Sequence, residues 1–558
     1  MTVAPSVTIT SLAPTSLVTG AAPQTLTING TGFVPSSTLT FNGIARTAVY
    51  LSASELTISL NSADLSAVGS YPVVVTNPAP GGSSAPAYFT VVSSLTANEW
   101  AWMGGSSTVP AGGGGQAGVY GTLGTAAAGN IPGGRNFASN WTDRSGNFWL
   151  FGGNGYDAIG GSGSLNDLWE FNPSTNEWAW MGGANTASQP GVYGALGTPA
   201  AGNVPGGRLY ASSWTDSSGN LWLFGGTGND VNGLFGPLND LWEFTPSTKE
   251  WAWIAGSSIL ATGSLGQPGV YGALGTPAAG NIPGGRYSAS SWTDSSSHLW
   301  LLGGYGYDSK GAAGTLNDFW EFTPSTDEWT WMGGSSTVPA GGGGLAGVYG
   351  TLGTPAVGNL PGARSEASSW TDASGHLWLF GGFGYDANDS SATLNDLWVF
   401  NPSTGEWAWM SGSNAAPCVG CGQLGVYGTL GTAAAGNVPG ARTGASSWSD
   451  SSGNLWLFGG TGIDANGGYG SLSDLWEFNP STNEWAWMGG SSTVPAVGGG
   501  QAGVYGTLDT PSATGIPGGR LGASSWTDGS GYLWLFGGQG FDSTGSLGYL
   551  NDVWRYQP

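Results

Sequence analysis

The chain has 558 residues and a net charge of −23, and it combines 104 glycines and 31 prolines with 30 tryptophans. So much aromatic surface excludes a disordered chain, and glycine without a three-residue period excludes collagen. The acidic field disfavours nucleic acid and anionic membranes, and no apolar run approaches the roughly 18 residues of a membrane helix. We therefore expect a folded protein that does not insert into membranes, with cations, glycans or proteins as partners.

Residues 1–95 are rich in Val, Thr, Leu and Ser, with turn signals at Gly20, Gly30, Asn42 and Pro78. Short apolar runs between such turns predict a small β-sandwich. The run ITSLAPTSLVTG, the GTGF at residues 30–33 and the NPAPGG before Phe89 resemble IPT/TIG immunoglobulin-like domains. This resemblance implies a spacer or adhesion module in an extracellular or cell-surface setting, although the given chain begins without a signal peptide. A short linker is expected at residues 93–97.

A repeat fills the rest of the chain, and each copy is marked by an arginine after PGG or PGA. The spacings are 73 residues and then 78 four times, and the arginines of repeats 1 to 6 are Arg135, Arg208, Arg286, Arg364, Arg442 and Arg520. Each arginine is followed, in order, by the motifs W(T/S)D, (L/F)WL(F/L)GG, L(N/S)D(L/F/V)W and EW(A/T)W. The tryptophans divide five per repeat and none precedes residue 98. This pattern predicts a domain boundary near Leu95 and a second domain at residues 96–558.

Each repeat contains four short runs bounded by Gly, Ser, Asn and Pro, which predict four β-strands and an all-β fold. The second run, at residues 221–224 for example, is continuously apolar, as a strand covered on both faces must be. The first run has small residues, as expected where six units crowd around an axis. We therefore predict a six-bladed β-propeller.

The double glycine after an apolar strand, the LNDLWEF block and the downstream tryptophan resemble kelch repeats, also found in the galactose oxidase central domain. The resemblance covers residues 98–558 and implies a propeller, which in this family serves binding proteins and enzymes alike. The repeats exceed the usual kelch length of about 50 residues by a long loop between EWAW and PGGR. A lone EWAW opens the domain and the last repeat lacks one, so residues 99–103 should pair with residues 550–556 and close the sixth blade.

Charged residues recur in every repeat on the side of these long loops. We expect the six arginines to form buried or half-buried pairs with aspartates, with ligand binding as the alternative. A second set of six aspartates would then be surplus, and their Gly-x-Gly-x-Asp loops make Ca²⁺ a candidate cofactor. This set is Asp157, Asp230, Asp308, Asp386, Asp464 and Asp542.

One tyrosine in the GVYG motif of each long loop is a candidate sugar-binding residue, because aromatic rings beside carboxylates suit sugar rings. The alternative is that each tyrosine packs its loop onto its blade. The six are Tyr120, Tyr193, Tyr271, Tyr349, Tyr427 and Tyr505.

Few residues break the symmetry of the repeats, as a single active site on a propeller would require. Glu366 is the only acid inside a first strand and is the one catalytic candidate. Lys249, Lys310, Asp389 and Asp509 are the other asymmetric charges.

The two histidines and two cysteines do not form a recognisable catalytic set. His298 and His376 occupy equivalent hairpin turns of two repeats, so the copper chemistry of galactose oxidase is not expected. Cys418 and Cys421 form a lone CVGC, for which a local disulfide is favoured over a zinc site that would lack half of its ligands.

The favoured interpretation is a secreted or surface recognition scaffold that binds a polysaccharide or an extracellular protein multivalently through the long-loop face. A polysaccharide hydrolase or lyase is the first alternative. A structural matrix or filament protein is the second. The ligand and the oligomeric state are left open.

Overall fold

The computed structural model describes residues 6–19, 21, 23–67, 69–92, 98–262, 265–495 and 498–558. Every regular element in these residues is a β-strand, so the predicted all-β class is confirmed. Within the same ranges there is no helix suited to crossing a bilayer. The chain divides into two compact units, one made of Met1–Ala97, Ser174–Asn176 and Thr507–Ser512 and the other of the remainder. The linker predicted at residues 93–97, and the boundary within it, lie outside the described residues.

The first unit has two β-sheets that enclose one hydrophobic core, and β2 and β10 are the one parallel pair among their described strand pairings. The sheet orders are β1-β3-β7-β6 and β2-β10-β8-β4-β5, with β9 beside β8. Leu26 and Ile28 from the first sheet meet Val73, Val75 and Phe89 from the second, all fully buried. Each such side chain contributes about 1.5–3 kcal/mol through the loss of apolar surface to water. The strands are β1 Thr8–Ala13, β2 Ser16–Val18, β3 Gln24–Thr31, β4 Thr38–Phe41, β5 Ile44–Arg46, β6 Val49–Ser52, β7 Glu55–Leu60, β8 Gly69–Asn77, β9 Gly82–Ser83 and β10 Ala87–Val92.

The strands that follow repeat six times after an opening strand. The opening strand and those of repeats 1 and 2 are β11 Glu99–Gly104, β12 Arg135–Asn136, β13 Ser139–Thr142, β14 Phe148–Phe151, β15 Asn154–Tyr156, β16 Ser162–Ser164, β17 Leu168–Asn172, β18 Glu177–Gly182, β19 Arg208–Leu209, β20 Ser212–Thr215, β21 Leu221–Phe224, β22 Thr227–Asn229, β23 Phe235–Pro237, β24 Leu241–Thr245 and β25 Glu250–Ala255. Those of repeats 3 and 4 are β26 Arg286–Tyr287, β27 Ser290–Thr293, β28 Leu299–Tyr307, β29 Ala313–Thr323, β30 Glu328–Gly333, β31 Arg364–Ser365, β32 Ser368–Thr371, β33 Leu377–Tyr385, β34 Ser391–Asn401 and β35 Glu406–Ser411. The remainder are β36 Arg442–Thr443, β37 Ser446–Ser449, β38 Leu455–Phe458, β39 Thr461–Ile463, β40 Tyr469–Ser471, β41 Leu475–Asn479, β42 Glu484–Gly489, β43 Pro511–Ser512, β44 Arg520–Leu521, β45 Ser524–Thr527, β46 Leu533–Phe541 and β47 Leu547–Gln557.

Each repeat forms an antiparallel four-stranded sheet, of which β20-β21-β24-β25 in repeat 2 is an example. Its second strand is buried along its whole length, as the continuous apolar run predicts. The cores lie between successive repeats, because Trp214 and Phe224 of repeat 2 pack with Leu299, Leu301 and Trp320 of repeat 3. The tryptophans therefore hold neighbouring sheets together.

The innermost strands of the six repeats contact one another in a closed cycle. β13 contacts β20, and the contacts continue through β27, β32, β37 and β45 back to β13. A hydrogen-bond cycle follows the same path. In it, one serine hydroxyl from each of repeats 2 to 6 donates to the preceding inner strand at 3.1–3.4 Å, and the Asn140 amide donates to the Ser525 carbonyl oxygen.

The predicted pairing of the two ends is confirmed. β11 runs antiparallel to β47 with Trp100 opposite Tyr556 and Trp102 opposite Trp554. Trp100 also packs against Phe458 at 5.5 Å between ring centroids. The sixth sheet is thus completed by the strand that opens the unit, which removes an exposed edge.

Candidate functional site

Each repeat buries an ion pair between its PGG or PGA arginine and the aspartate of its L(N/S)D motif. In repeat 3, Arg286 Nη1 and Nη2 donate to Asp318 Oδ1 and Oδ2, both at 2.7 Å. The Tyr271 hydroxyl and the Trp320 indole N–H donate to the same Oδ2 at 2.6 and 2.7 Å. The equivalent ion pairs are Arg135–Asp167, Arg208–Asp240, Arg364–Asp396, Arg442–Asp474 and Arg520–Asp552. The predicted arginine–aspartate pairing is therefore confirmed in all six repeats.

The protonation states of this cluster follow from burial and charge. Burial, followed by the negative charge of Asp318, raises the pKa of Tyr271 far above its usual value, so its hydroxyl remains a donor. Burial alone would raise the pKa of Asp396, but the charge and hydrogen bonds of the Arg364 guanidinium, with hydrogen bonds from Tyr349 and Trp398, hold it below its usual range. Loss of one partner from such a buried pair costs about 3–5 kcal/mol.

The loop tyrosines and the repeat arginines lie in the interior. The tyrosines are 4–8% exposed and the arginines 1% exposed. Their polar atoms bond to aspartates and backbone carbonyls of the same repeat, as in Tyr349 to Asp396 at 2.6 Å. These side chains offer no free face to a sugar ring, so the packing alternative describes their position better than ligand binding does.

The second aspartate set anchors loops through backbone N–H groups. Asp308 Oδ1 accepts from the N–H groups of Lys310 and Ala312 at 2.8 Å, and Oδ2 accepts from Val338 at 2.9 Å. The other five aspartates each accept three equivalent bonds. Ca²⁺ requires oxygen ligands, whereas these loops direct N–H dipoles at the carboxylate. These aspartates therefore serve as loop anchors and do not form the calcium sites expected from the sequence.

His298 belongs to a three-residue group with the spacing of a metal site. Its Nδ1 lies 2.9 Å from Glu321 Oε1 and 3.2 Å from Asp294 Oδ2. In repeat 1 the Asn147 side-chain amide occupies this position and donates to Glu170 at 2.7 Å. His298 with its proton on Nδ1 makes the same bonds, so the group is explained by hydrogen bonding without a metal.

His376 lies beside a groove of about 550 Å³ that is also lined by Asp372, Val399, Glu406 and Met410. Its Nδ1 lies 3.1 Å from Asp372 Oδ2. Val399 stands where repeats 1, 2, 3 and 5 have a glutamate. Val399 thus contributes a shorter, apolar side chain to the lining of this groove.

Cys418 and Cys421 are joined by a disulfide, the favoured alternative of the sequence analysis. The bond closes a short segment of the long loop before repeat 5. The predicted site residues therefore divide into structural clusters and one residue, Glu366, that lies in a cleft.

That cleft is built on the residue two positions after each repeat arginine. All six of these residues adopt left-handed backbone angles, with φ between 52° and 63°. Each N–H donates to the carbonyl oxygen of the equivalent residue in the preceding repeat at 2.8–3.1 Å, which forms a cycle of six bonds. The residues are Phe137, Tyr210, Ser288, Glu366, Gly444 and Gly522.

Only glycine adopts these angles without steric cost, so four of the six ring positions are strained. Glu366 was predicted inside a first strand, and this is wrong: it lies in the gap between β31 and β32, as its counterparts do in the other repeats. A positive φ cannot continue a strand ladder, which explains the break. The left-handed backbone at these six positions directs their side chains, which differ between repeats, toward the same cavity.

The ring residues and a layer of alanines line a cavity of about 170 Å³, here called the central cleft. Phe137 stacks on Tyr210 with 3.9 Å between centroids, and Tyr210 lies 6.0 Å from Tyr287. Burial raises the pKa of Glu366, and a hydrogen bond from Thr443 partly opposes this. These groups place an aromatic row and a carboxylate in one small opening.

Below the central cleft, the inner strands line a channel of about 510 Å³. Hydroxyl and indole-bearing residues of every repeat contribute to it, and their hydroxyls bond to the neighbouring strand, as in Thr527 to Ser449 at 3.0 Å. The channel walls are nearly six-fold symmetric. The side chains that differ most between repeats line the central cleft and not this channel.

Sequence reasoning found Glu366 but missed Phe137, Tyr210 and Ser288. The sequence did contain a signal: the residue two positions after the repeat arginine varies between repeats, as Phe, Tyr, Ser, Glu, Gly and Gly, although the arginine itself is the same in all six. Lys249, Lys310, Asp389 and Asp509 do not line the central cleft.

Comparison with known proteins identifies the first unit. Residues 7–91 match the IPT/TIG domain family, which confirms the predicted resemblance for this part of the chain. No curated protein matches the chain.

Solved structures resemble the chain at low similarity. YjhT has a TM-score of 0.41 at 15% identity, covering 76% of this chain and 95% of that one. An auxiliary nutrient binding protein from Bacteroides ovatus has a TM-score of 0.39 at 9% identity, covering 99% and 97%. An endo-arabinase from Bacteroides thetaiotaomicron has a TM-score of 0.29 at 10% identity, covering 62% and 93%. Likeness at this level carries no argument about function.

Proposed function

We propose that the chain is an extracellular or cell-surface recognition protein whose residues 98–558 form a six-bladed kelch-type β-propeller that binds a saccharide in the central cleft. The IPT/TIG unit would serve as a spacer or adhesion module. The closed cycles of strand contacts and hydrogen bonds support the propeller, because a cycle requires two neighbours for every repeat.

The observation that carries the binding proposal is the ring of left-handed residues. Backbone strain of about 1–3 kcal/mol per residue persists only where the surrounding structure enforces it, and it concentrates at functional sites. Two ring positions keep glycine, whereas the other four place Phe137, Tyr210, Ser288 and Glu366 in the cleft. The arginine–aspartate clusters are the same in every repeat. The side chains that differ between repeats are therefore those that line the cleft, where a ligand would bind.

The contents of the cleft suit a saccharide. Sugar rings pack their C–H faces on aromatic rings, and carboxylates accept hydrogen bonds from hydroxyl groups. A cavity of about 170 Å³ is smaller than the roughly 300–1,000 Å³ of drug-sized sites, so it would hold one sugar ring and not a long chain.

Binding fits the cleft better than hydrolysis does. Glycoside hydrolysis ordinarily requires two carboxylates about 5–9.5 Å apart. Glu366 is the one carboxylate among the described residues that line the cleft. The alternative, a polysaccharide hydrolase or lyase, would use Glu366 with its raised pKa as the acid.

The long loops favour a second, multivalent function toward an extracellular protein. Each loop buries its tyrosine but exposes the valine before it and a leucine after it, to 48–56% and 47–60%. Repeated exposed apolar pairs suit protein contacts, and a matrix or filament protein would use them between subunits. The valines are Val119, Val192, Val270, Val348, Val426 and Val504, and the leucines are Leu123, Leu196, Leu274, Leu352, Leu430 and Leu508.

A glycan array with the full chain tests the saccharide proposal, followed by titration of Tyr210→Ala against the best ligand. We expect the substitution to weaken binding about ten-fold, since it removes part of the aromatic row. Tyr469→Ala is the matched control, because Tyr469 is 46% exposed and lies outside the cleft. Equal affinities for the two variants would place the ligand elsewhere. Product release from the bound glycan, abolished by Glu366→Gln, would establish the enzyme alternative.

A further inference from the structure

The central cleft combines an acid with aromatic rings and no basic partner. Across the described residues, none of the ion pairs includes Glu366. Its neighbours are uncharged groups: the Thr443 hydroxyl donates to it, and it interacts electrostatically with Tyr210 and Tyr287. A half-buried carboxylate in this setting has lost hydration without gaining a counter-charge.

The opposite wall of the cleft is aromatic. Phe137 lies against Gly522, since a Cβ at that glycine would come within 2.7 Å of the ring. The row continues to Tyr210, which also lines the cleft, and Tyr287 packs beside Tyr210 without lining it. Faces of aromatic rings attract cations, by about 0.5–1 kcal/mol at exposed sites and about 2 kcal/mol when desolvated.

A buried serine adds an unused hydrogen-bonding group. Ser288 is 9% exposed and lines the cleft, and within the described structure its hydroxyl has no hydrogen-bond partner. Buried polar groups are normally paired, so this hydroxyl is available to a hydroxyl or amine of a ligand after a small rearrangement.

The ligand that complements these three features carries a positive charge on a small ring. A neutral sugar would use the aromatic row but would leave the Glu366 carboxylate without a counter-charge. A protonated amine would pair with Glu366 and also face the aromatic row, and the net charge of −23 would favour its approach. An anionic sugar would be repelled by the Glu366 carboxylate and by the negative net charge of the chain.

We propose that the central cleft recognises the protonated amine of an amino sugar with a free amino group, through Glu366 and the aromatic row of Phe137 and Tyr210. This inference rests on the proposed saccharide-binding function and specifies its substrate class. The pairing is an ordinary charge-assisted hydrogen bond from the ammonium N–H to a carboxylate oxygen, with no covalent step.

The test is calorimetric titration of the full chain with three tetrasaccharides of the same linkage: glucosamine, N-acetylglucosamine and glucose. We expect glucosamine to bind about ten-fold or more tightly than the other two at moderate salt, with the advantage falling as salt rises. Glu366→Gln should remove this preference, so that the glucosamine tetrasaccharide binds no more tightly than the two neutral ones. Asp389→Asn is the matched control, because it removes an exposed carboxylate from the same repeat outside the cleft.

The outcomes separate the two proposals. Equal affinity for the three sugars, or a glucosamine preference that survives in Glu366→Gln, would overturn the amine assignment while leaving saccharide binding intact. Failure of all three to bind, in a chain whose tryptophan fluorescence shows a folded second unit, would overturn the amine assignment, whereas failure of every glycan on the array would overturn saccharide binding itself. A preference that is lost in Glu366→Gln and kept in Asp389→Asn supports the assignment.

Discussion

The clearest test of the buried clusters is replacement of a loop tyrosine by phenylalanine. In Tyr271→Phe the ring keeps its packing on Trp320 at 4.7 Å and Trp331 at 5.4 Å. The change removes only the 2.6 Å bond from the hydroxyl to Asp318. Because the acceptor is charged and buried, the loss should lower the free energy of unfolding by about 1.5–3 kcal/mol.

The six repeats allow the same substitution to be accumulated. The clusters share no partners, so their effects should add, and all six tyrosine-to-phenylalanine changes should cost about 9–18 kcal/mol. The second unit has roughly 460 residues, and at about 2.1 cal/mol/K per residue its unfolding entropy is about 1 kcal/mol/K. The expected decrease in Tm is therefore about 1.5–3 °C for one change and about 9–18 °C for six.

Tryptophan fluorescence is the appropriate assay, since every tryptophan lies beyond residue 97 and reports on the second unit alone. Tyr469→Phe is the control, because that side chain is 46% exposed and a surface change should stay within about 0.5 kcal/mol. If Tyr271→Phe matched this control, or if six changes lowered Tm no more than one, the hydrogen bonds would not have the assigned role.

Three further predictions concern the central cleft and the turn histidine. Glu366→Gln should raise Tm at neutral pH, because the folded pKa of Glu366 lies above its unfolded value and the carboxylate therefore costs stability above the folded pKa. Gly522→Ala should cost about 1–3 kcal/mol more than Gly444→Ala, because both have φ near 60° but only the first directs a Cβ to within 2.7 Å of Phe137. His298→Asn should leave Tm nearly unchanged, since asparagine makes the same bonds in repeats 1 and 2, whereas His298→Ala should cost about 1–3 kcal/mol.

Each of these has its own internal check, read by thermal unfolding. The gain from Glu366→Gln should vanish as the pH falls below the unfolded pKa, where both side chains are neutral, and a gain that persists there would contradict the electrostatic cause. Adding Phe137→Ala should make Gly522→Ala and Gly444→Ala equally tolerated, and a remaining gap would mean that the ring is not the obstacle. A large loss in His298→Asn would show that the imidazole has a role beyond donating a hydrogen bond.

The sequence by itself determined the all-β class, the IPT/TIG unit and the sixfold repeat. It also predicted the pairing of residues 99–103 with the last strand, because each end lacked the block that the other supplied. These inferences rest on period, strand patterning and residue type, which are local properties. The arginine–aspartate pairs were predictable for a related reason, since a buried guanidinium requires a carboxylate and one recurs at a fixed spacing.

Tertiary structure decided which recurrent residues are buried and where the variable ones meet. The motif GVYG places a tyrosine between small residues, but only the closure of the loop against its own sheet turns the ring inward and leaves Val348 and Leu352 exposed around Tyr349. Likewise, Phe137 and Glu366 are 229 positions apart in the chain. They share the central cleft because six left-handed residues bond to one another across repeats, and a backbone angle imposed by neighbouring strands is not encoded in the residue that adopts it.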